Sequence, residues 1–137
     1  MVIEKDFKNA VIHHKRKNYS KAQDIYENLL RDNPYNISIL LNYATLLSET
    51  RQYKKAEDIF QKCLKIKPED SLLLYNYAKF FHDQKNFDQA IIFYKKSLTV
   101  NKKNGVSAYN LGNIFSALKK FDKAIKYFNI AINANPS

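Results

Sequence analysis

Histidine and cysteine are the residues of this chain best suited to catalysis or metal binding, and their spacing supports neither. His13 and His14 are adjacent, so their side chains point about 100° apart on a helix, and His82 lies far along the chain. No pair of histidines or carboxylates has the i, i+4 spacing of a zinc-binding helix. Cys63 is the single cysteine. The sequence therefore predicts no metal site, no cofactor and no enzymatic activity.

The scarcity of glycine and proline predicts the type of secondary structure that carries these residues. The chain has two glycines and three prolines in 137 residues, too few for the many turns of a sheet protein, so we expect helices. No apolar run reaches the ~18 residues of a membrane span, and the N-terminus lacks the apolar segment of a signal peptide. We therefore expect an intracellular, cytoplasmic protein without a transmembrane segment.

A fixed period organises the chain, and it is visible as rows of similar residues at equal spacing. It divides the sequence into repeats at 3–36, 37–70, 71–104 and 105–137, which we expect to form a single array over residues 1–137. Three rows carry the period: Ala22, Ala56, Ala90 and Ala124; Tyr26, Phe60, Tyr94 and Phe128; Leu30, Leu64, Leu98 and Ile132.

Each repeat is predicted to form two helices. In the third repeat, apolar residues follow helical spacing from Leu73 to Phe81 and again from Ala90 to Leu98, with a polar break between them. Side chains that favour the N-cap position precede both helices. The expected caps are Asn36, Asp70 and Asn104 for first helices, and Ser20, Asp88 and Asp122 for second helices.

The repeated pair of helices resembles the tetratricopeptide repeat (TPR) family, both in its length and in its residue pattern. The fourth repeat carries the pattern in Leu111, Gly112, Phe115, Ala124, Phe128, Ala131 and Pro136. The resemblance implies an all-α, right-handed solenoid of eight helices. The first repeat departs from the pattern, with Asp6 and Asn9 where the second has Leu40 and Tyr43, and we expect its first helix to cap the stack.

We expect no C-terminal capping helix in this chain after the fourth repeat, although TPR arrays usually have one. The apolar edge that includes Ile125, Ile130 and Ile132 is therefore expected to be uncovered. We interpret the chain as a fragment of a longer protein. The alternative is that this edge binds a second copy or a partner.

The resemblance also implies a concave groove lined by the first helix of each repeat. The charged groove positions are Lys8, Lys15 and Lys79 against Glu4, Glu49 and Asp83, so the groove is neutral although the chain carries a net charge of +10. Three asparagines, Asn42, Asn76 and Asn110, recur within it at the period of the repeat. Further predicted groove residues are Leu41, Tyr75, Tyr109, Asn113 and Lys79.

An asparagine ladder suits the recognition of a main chain, because each amide offers a donor and an acceptor to a peptide of any sequence. A similar ladder lines the TPR superhelix of O-linked N-acetylglucosamine transferase, where it contacts bound polypeptide. Tyr75 and Tyr109 are expected to anchor side chains beside it. Chance spacing in an asparagine-rich chain is the alternative interpretation.

The basic surplus lies outside the groove, partly in a row at the turn within each repeat: Lys17, Arg51, Lys85 and Lys119. This basic turn row could meet an anionic surface, or it could be a solvated face that reflects composition. Nucleic acid is disfavoured, since only three of the 23 basic residues are arginine. The aromatic residues at the turns recur in phase with the rows of alanine, aromatic and leucine residues, and they are expected in the core: Tyr19, Tyr53, Phe87 and Phe121.

The sequence thus predicts a protein-interaction scaffold that binds an extended or helical peptide in its groove. One alternative is a structural or self-assembling module that docks through its C-terminal edge or convex face. The other is a protein that binds anionic surfaces through the basic turn row.

Overall fold

The computed structural model of the chain describes residues 2–134, and these form eight α-helices without a strand. The first helices of the repeats are α1 (Val2–Lys15), α3 (Ile37–Glu49), α5 (Ser71–Asp83) and α7 (Gly105–Ala117). The second helices are α2 (Tyr19–Asp32), α4 (Tyr53–Ile66), α6 (Phe87–Val100) and α8 (Phe121–Ala134). Pro136, assigned to the end of the fourth repeat by its pattern, lies outside the described residues.

The helices recur with the predicted period. The helices α3, α5 and α7 begin at equal intervals, and so do all four second helices, in step with the phased alanines. Two helices joined by a short turn occupy every repeat. The prediction of an all-α fold of eight helices is therefore confirmed.

The first helices of the second to fourth repeats begin at the predicted N-caps. Asn36 Oδ1 accepts a hydrogen bond from the amide of Ile39 at 3.1 Å. Asp70 and Asn104 accept equivalent bonds from the amides of Leu73 and Ser107, at 3.0 and 3.1 Å. These side chains satisfy an amide that the first turn of a helix leaves without a partner.

The predicted N-caps of the second helices are wrong. Ser20, Asp88 and Asp122 each lie just inside the helix, which begins at the preceding aromatic residue. In α6 the cap is Asn86, whose Oδ1 accepts from the amide of Gln89 at 3.4 Å. The helix starts early because the turn before it is closed by the backbone.

That backbone turn is a Schellman motif in every repeat. The amide of Lys85 donates to the carbonyl of His82 at 2.9 Å, and the amide of Asn86 donates to the carbonyl of Phe81 at 2.9 Å. The motif requires a left-handed residue, and Lys85 has φ 61°. Lys17, Arg51 and Lys119 take the same conformation with φ 62°.

The chain divides into two compact units, 1–68 and 69–137, with α1–α4 in unit 1 and α5–α8 in unit 2. In unit 1 the phased alanines and Tyr26 are wholly buried. In unit 2 Gly112 lies so close to Phe128 that a Cβ there would be 2.5 Å from the ring. Small residues at these positions therefore let paired helices approach closely. That the four repeats form a single array over residues 1–137 stays a prediction.

Candidate functional site

The asparagine ladder lies at one register of the first helices. Asn42, Asn76 and Asn110 each occupy the sixth position of their helix, in α3, α5 and α7. In unit 1 the Nδ2 of Asn42 donates to the carbonyl of Ser38 at 2.8 Å. In unit 2 the Nδ2 of Asn110 donates to the carbonyl of Val106 at 2.9 Å. One N–H of each of these two amides is thus used within the helix, and the bond fixes the side chain so that Oδ1 and the second N–H are oriented.

The predicted side-chain anchors differ in accessibility. Tyr109 is 55% exposed, and its ring centroid lies 5.8 Å from that of Phe128. Tyr75 is half-buried against Tyr94, with 5.9 Å between the ring centroids. Leu41 is only 8% exposed, because it packs into the core of unit 1. Leu41 therefore offers little surface to a ligand, contrary to its predicted role.

The remaining predicted groove residues of unit 2 are polar. Lys79 Nζ lies 3.2 Å from Asp83 Oδ2, and both side chains are more than half exposed, at 53% and 63%. Asn113 is half-buried one turn after Asn110. The lysine on this face of α5 therefore has a carboxylate beside it, and a neutral groove stays a prediction.

A hollow of about 470 Å³ in unit 1 brings together residues of α1, the turn after it, α2 and α3. Its lining contains two ammonium groups, an imidazole, a carboxylate and the amide of Asn42, although more of the exposed surface in it is apolar than polar. We call it the unit 1 hollow, and its lining residues are Val11, His14, Lys15, Lys17, Tyr19, Asn42 and Glu49. Lys17 of the basic turn row and Asn42 of the ladder therefore share one site, which the sequence did not predict.

His14 is held in this hollow by two partners. Its Nε2 lies 2.9 Å from Glu49 Oε2, and its Nδ1 lies 3.3 Å from the hydroxyl oxygen of Tyr26. The imidazole thereby connects the ends of α1 and α3 to the core of unit 1. Burial, and then the charge of Glu49, raises the pKa of Tyr26 to about 12. The Tyr26 hydroxyl is therefore neutral at physiological pH.

The basic turn row has a structural role at every position. Its four members are the left-handed residues of the Schellman motifs, and all four are exposed. A left-handed lysine is unfavourable by about 1 kcal/mol, which the hydrogen bonds of the motif offset. Their recurrence alone therefore does not indicate a binding site.

The residues considered for catalysis do not form a cluster. Among residues 2–134 no group of three or more histidines, cysteines or acidic residues could hold a metal ion. Cys63 is wholly buried at the position that Ser97 and Ala131 occupy in later repeats, so it packs as a small residue. No helix within that range is long and apolar enough to cross a membrane.

Consecutive pairs of helices on a strict period define the class of α-helical repeat proteins. The chain belongs to the tetratricopeptide repeat family, whose pattern matches residues 13–80 and again residues 70–136. A comparison with curated protein sequences gives no match.

Several solved structures share this fold. PilF of Pseudomonas aeruginosa has a TM-score of 0.87 and 20% identity, over 98% of this chain and 61% of that chain. MamA from Desulfovibrio magneticus RS-1 has a TM-score of 0.83 and 14% identity, over 98% and 76%. Naa15, in a structure with Naa10 and HypK-THB, has a TM-score of 0.81 and 19% identity, over 99% of this chain and 20% of that chain. At this level of identity the likeness shows the fold alone.

Proposed function

We propose that this protein is an interaction scaffold that binds an extended or helical segment of a partner protein on the first helices of its repeats. Its TPR fold is a protein-interaction fold, and a neighbour of the same fold, Naa15, is found in a structure with Naa10 and HypK-THB. Function is nevertheless decided by the residues on the scaffold.

The observation that carries the proposal is the repeated state of the asparagine amides. Asn42 in unit 1 and Asn110 in unit 2 have the same register and the same bond to the carbonyl one helical turn back. Because each side chain is fixed before a ligand arrives, binding costs less conformational entropy. The Oδ1 of each amide then accepts from a peptide N–H, and its second N–H donates to a peptide carbonyl.

Each unit of the protein offers a different surface to the side chains of a bound segment. In unit 2, Tyr109 presents an exposed ring beside Asn110, and Leu72 and Val106 are 61% and 54% exposed on the same set of first helices. In unit 1, lysines and Glu49 line the hollow that contains Asn42. The proposal is thus that in unit 2 Asn110 contacts the main chain and an apolar side chain packs near Tyr109. In unit 1, Asn42 contacts the main chain and a polar side chain enters the hollow.

Anionic-surface binding through the basic turn row is the weaker candidate. The left-handed backbone of Lys17, Arg51, Lys85 and Lys119 accounts for their regular spacing without a ligand. Of these four residues, Lys17 alone lines the unit 1 hollow with Asn42. Binding that depends on this row would weaken steeply with salt, whereas amide-mediated binding would not.

A peptide selected from a random displayed library provides the probe for the proposed function. Its affinity is measured for the wild type and for the triple variant Asn42→Ala, Asn76→Ala, Asn110→Ala. The matched control removes three exposed amides from second helices: Gln61→Ala, Gln89→Ala, Asn129→Ala.

Loss of two or more main-chain hydrogen bonds is expected to weaken binding by about tenfold or more in the ladder variant. The control variant is expected to bind like the wild type. Equal affinity of the ladder variant and the wild type would refute the role of the amides.

A further inference from the structure

The outer side of α8 carries an exposed apolar strip. Phe121, Ile125 and Ile132 are 59%, 57% and 59% exposed, and Phe128 lies between them, half-buried. The spacing of the four residues is i, i+4, i+7 and i+11, so they form one line along the helix. We call this line the α8 strip. Phe121 was expected in the core with the other turn aromatics, and the structure instead exposes it; Tyr53 is also exposed, at 39%.

The same positions are covered one repeat earlier. Phe87, Ile91 and Leu98 of α6 are half-buried, and Tyr94 is wholly buried. Both α5 and α7 pack against α6, whereas among the described helices only α7 packs substantially against α8. The surface that α7 covers on α6 is therefore covered by no described helix on α8. A surface that one helix covers within this molecule has the shape to receive another helix.

Two hollows at the ends of the α8 strip set the charge of the edge. One, of about 740 Å³, is lined by apolar groups of Val106, Tyr109, Phe128 and Ile132, with Lys103 as its charged residue. The other, of about 480 Å³, surrounds Phe121 with Lys119, Lys120, Asp122 and Lys123. Four lysines against one aspartate make the edge basic around an apolar centre.

A second copy of the chain does not match this surface. Two α8 strips facing each other would bring their lysines together, which is unfavourable. The other end of the chain, α1, has Asp6 and Asn9 at the positions where the second repeat has the buried residues Leu40 and Tyr43. Docking α1 on the α8 strip would bury these polar side chains against apolar ones.

We propose that the α8 strip and its two hollows bind an amphipathic helix of a partner protein that carries acidic side chains beside its apolar face. Apolar residues of that helix at i, i+3/i+4 and i+7 would pack on the isoleucines and Phe128 of the strip, as in other helix-in-groove complexes. Its carboxylates would meet Lys103 at one end and Lys119, Lys120 and Lys123 at the other. This surface shares Val106 and Tyr109 with the side-chain surface proposed above for unit 2, but its lining does not include Asn42, Asn76 or Asn110.

The test uses two fluorescent peptides of about four helical turns. Both have leucine at i, i+4, i+7 and i+11, and the flanking positions are glutamate in one peptide and lysine in the other. Fluorescence anisotropy with the full chain is expected to show about tenfold or more tighter binding of the glutamate peptide at low salt. The double variant Ile125→Gln, Ile132→Gln is expected to weaken that binding by about tenfold or more.

Matched variants separate this site from others. Ile92→Gln changes an isoleucine that is 43% exposed on α6, outside the α8 strip, and is expected to leave binding unchanged. The ladder variant at Asn42, Asn76 and Asn110 is also expected to bind the glutamate peptide normally, so failure of one proposal is distinguishable from failure of the other. Circular dichroism checks that each variant is folded.

Three results would overturn the proposal. The first is equal binding of the glutamate and lysine peptides, and the second is wild-type affinity of the Ile125→Gln, Ile132→Gln variant. The third comes from sedimentation of the protein alone: a concentration-dependent dimer that this variant abolishes would assign the α8 strip to a second copy.

Discussion

The Nδ1 of His82 lies 3.1 Å from the hydroxyl oxygen of Tyr94, with the two rings perpendicular at an interplanar angle of 90°. His14 and Tyr26 form the same pair two repeats earlier, at 3.3 Å. The second and fourth repeats instead have serine and phenylalanine at the corresponding positions: Ser48 with Phe60, and Ser116 with Phe128. The repeats therefore alternate between two kinds, and each unit contains one histidine–tyrosine pair.

The pair in unit 2 predicts lower stability in acid. Burial lowers the pKa of His82 below its usual value of 6.5; the charge of Asp83 opposes this shift to a smaller extent, and the charge of Lys79 adds to it. Below that pH the unfolded chain binds a proton that the folded chain does not, so the free energy of unfolding falls as pH falls. Urea denaturation across this range should show a shallower pH slope for His82→Gln. His13→Gln is the control and should keep the wild-type slope.

Buried tyrosines predict a loss of stability at alkaline pH. Burial raises the pKa of Tyr26 to about 12, and burial also raises the pKa of Tyr94. The unfolded chain loses its phenol protons near pH 10, while the folded chain keeps them, so the free energy of unfolding falls from about pH 10 upward. Denaturation at alkaline pH should show a smaller decrease for Tyr94→Phe. Tyr35→Phe, at a side chain 70% exposed, should decrease like the wild type.

The left-handed lysines predict stabilising glycine substitutions. Lys85 and Lys119 have φ 61° and 62°, a region that glycine adopts without steric cost. Each change to glycine is expected to raise the free energy of unfolding by about 0.5–1 kcal/mol. Lys55→Gly, at an exposed position inside α4, should instead lower it by about 1 kcal/mol. Destabilisation by Lys85→Gly in chemical denaturation would contradict the structural role of the turn.

Asn104 is predicted to be the costliest N-cap to remove. It caps α7, and its Nδ2 also lies 2.9 Å from the Oγ of the buried Ser97 and 3.2 Å from the Oγ of Ser71. Asn104→Ala should therefore cost about 2 kcal/mol, against about 1 kcal/mol for Asn36→Ala, which removes only a cap. Equal losses in thermal and urea denaturation would show that the serine contacts contribute nothing.

The period and the first-helix caps could be predicted because both are local patterns. Asn36, Asp70 and Asn104 recur at the period and directly precede apolar helical stretches, so the start of each helix is unambiguous. The sequence predicts the start of α6 too late because Asn86 and Asp88 are both residues that favour the N-cap position. The left-handed backbone at Lys85 decides which of the two residues is the cap, and a lysine in the sequence does not predict that conformation.

The candidate site could be predicted in register but not in detail. The spacing of Asn42 and Asn110 shows that they share a helix position, yet their bonds to backbone carbonyls depend on side-chain rotamers. The burial of Leu41 and the unit 1 hollow depend on packing between helices. The histidine–tyrosine pairs did have a sequence signal, namely the alternation of His14, Ser48, His82 and Ser116.

The role of the asparagine ladder is best measured by a nuclear magnetic resonance titration of the protein with the library-selected peptide, observed at the side-chain amide signals. We expect the NH₂ signals of Asn42, Asn76 and Asn110 to shift with peptide concentration, while those of Gln61, Gln89 and Asn129 on the second helices stay in place. Saturable shifts of the second-helix amides alone, with the three first-helix asparagines unchanged, would show that the peptide does not bind the ladder.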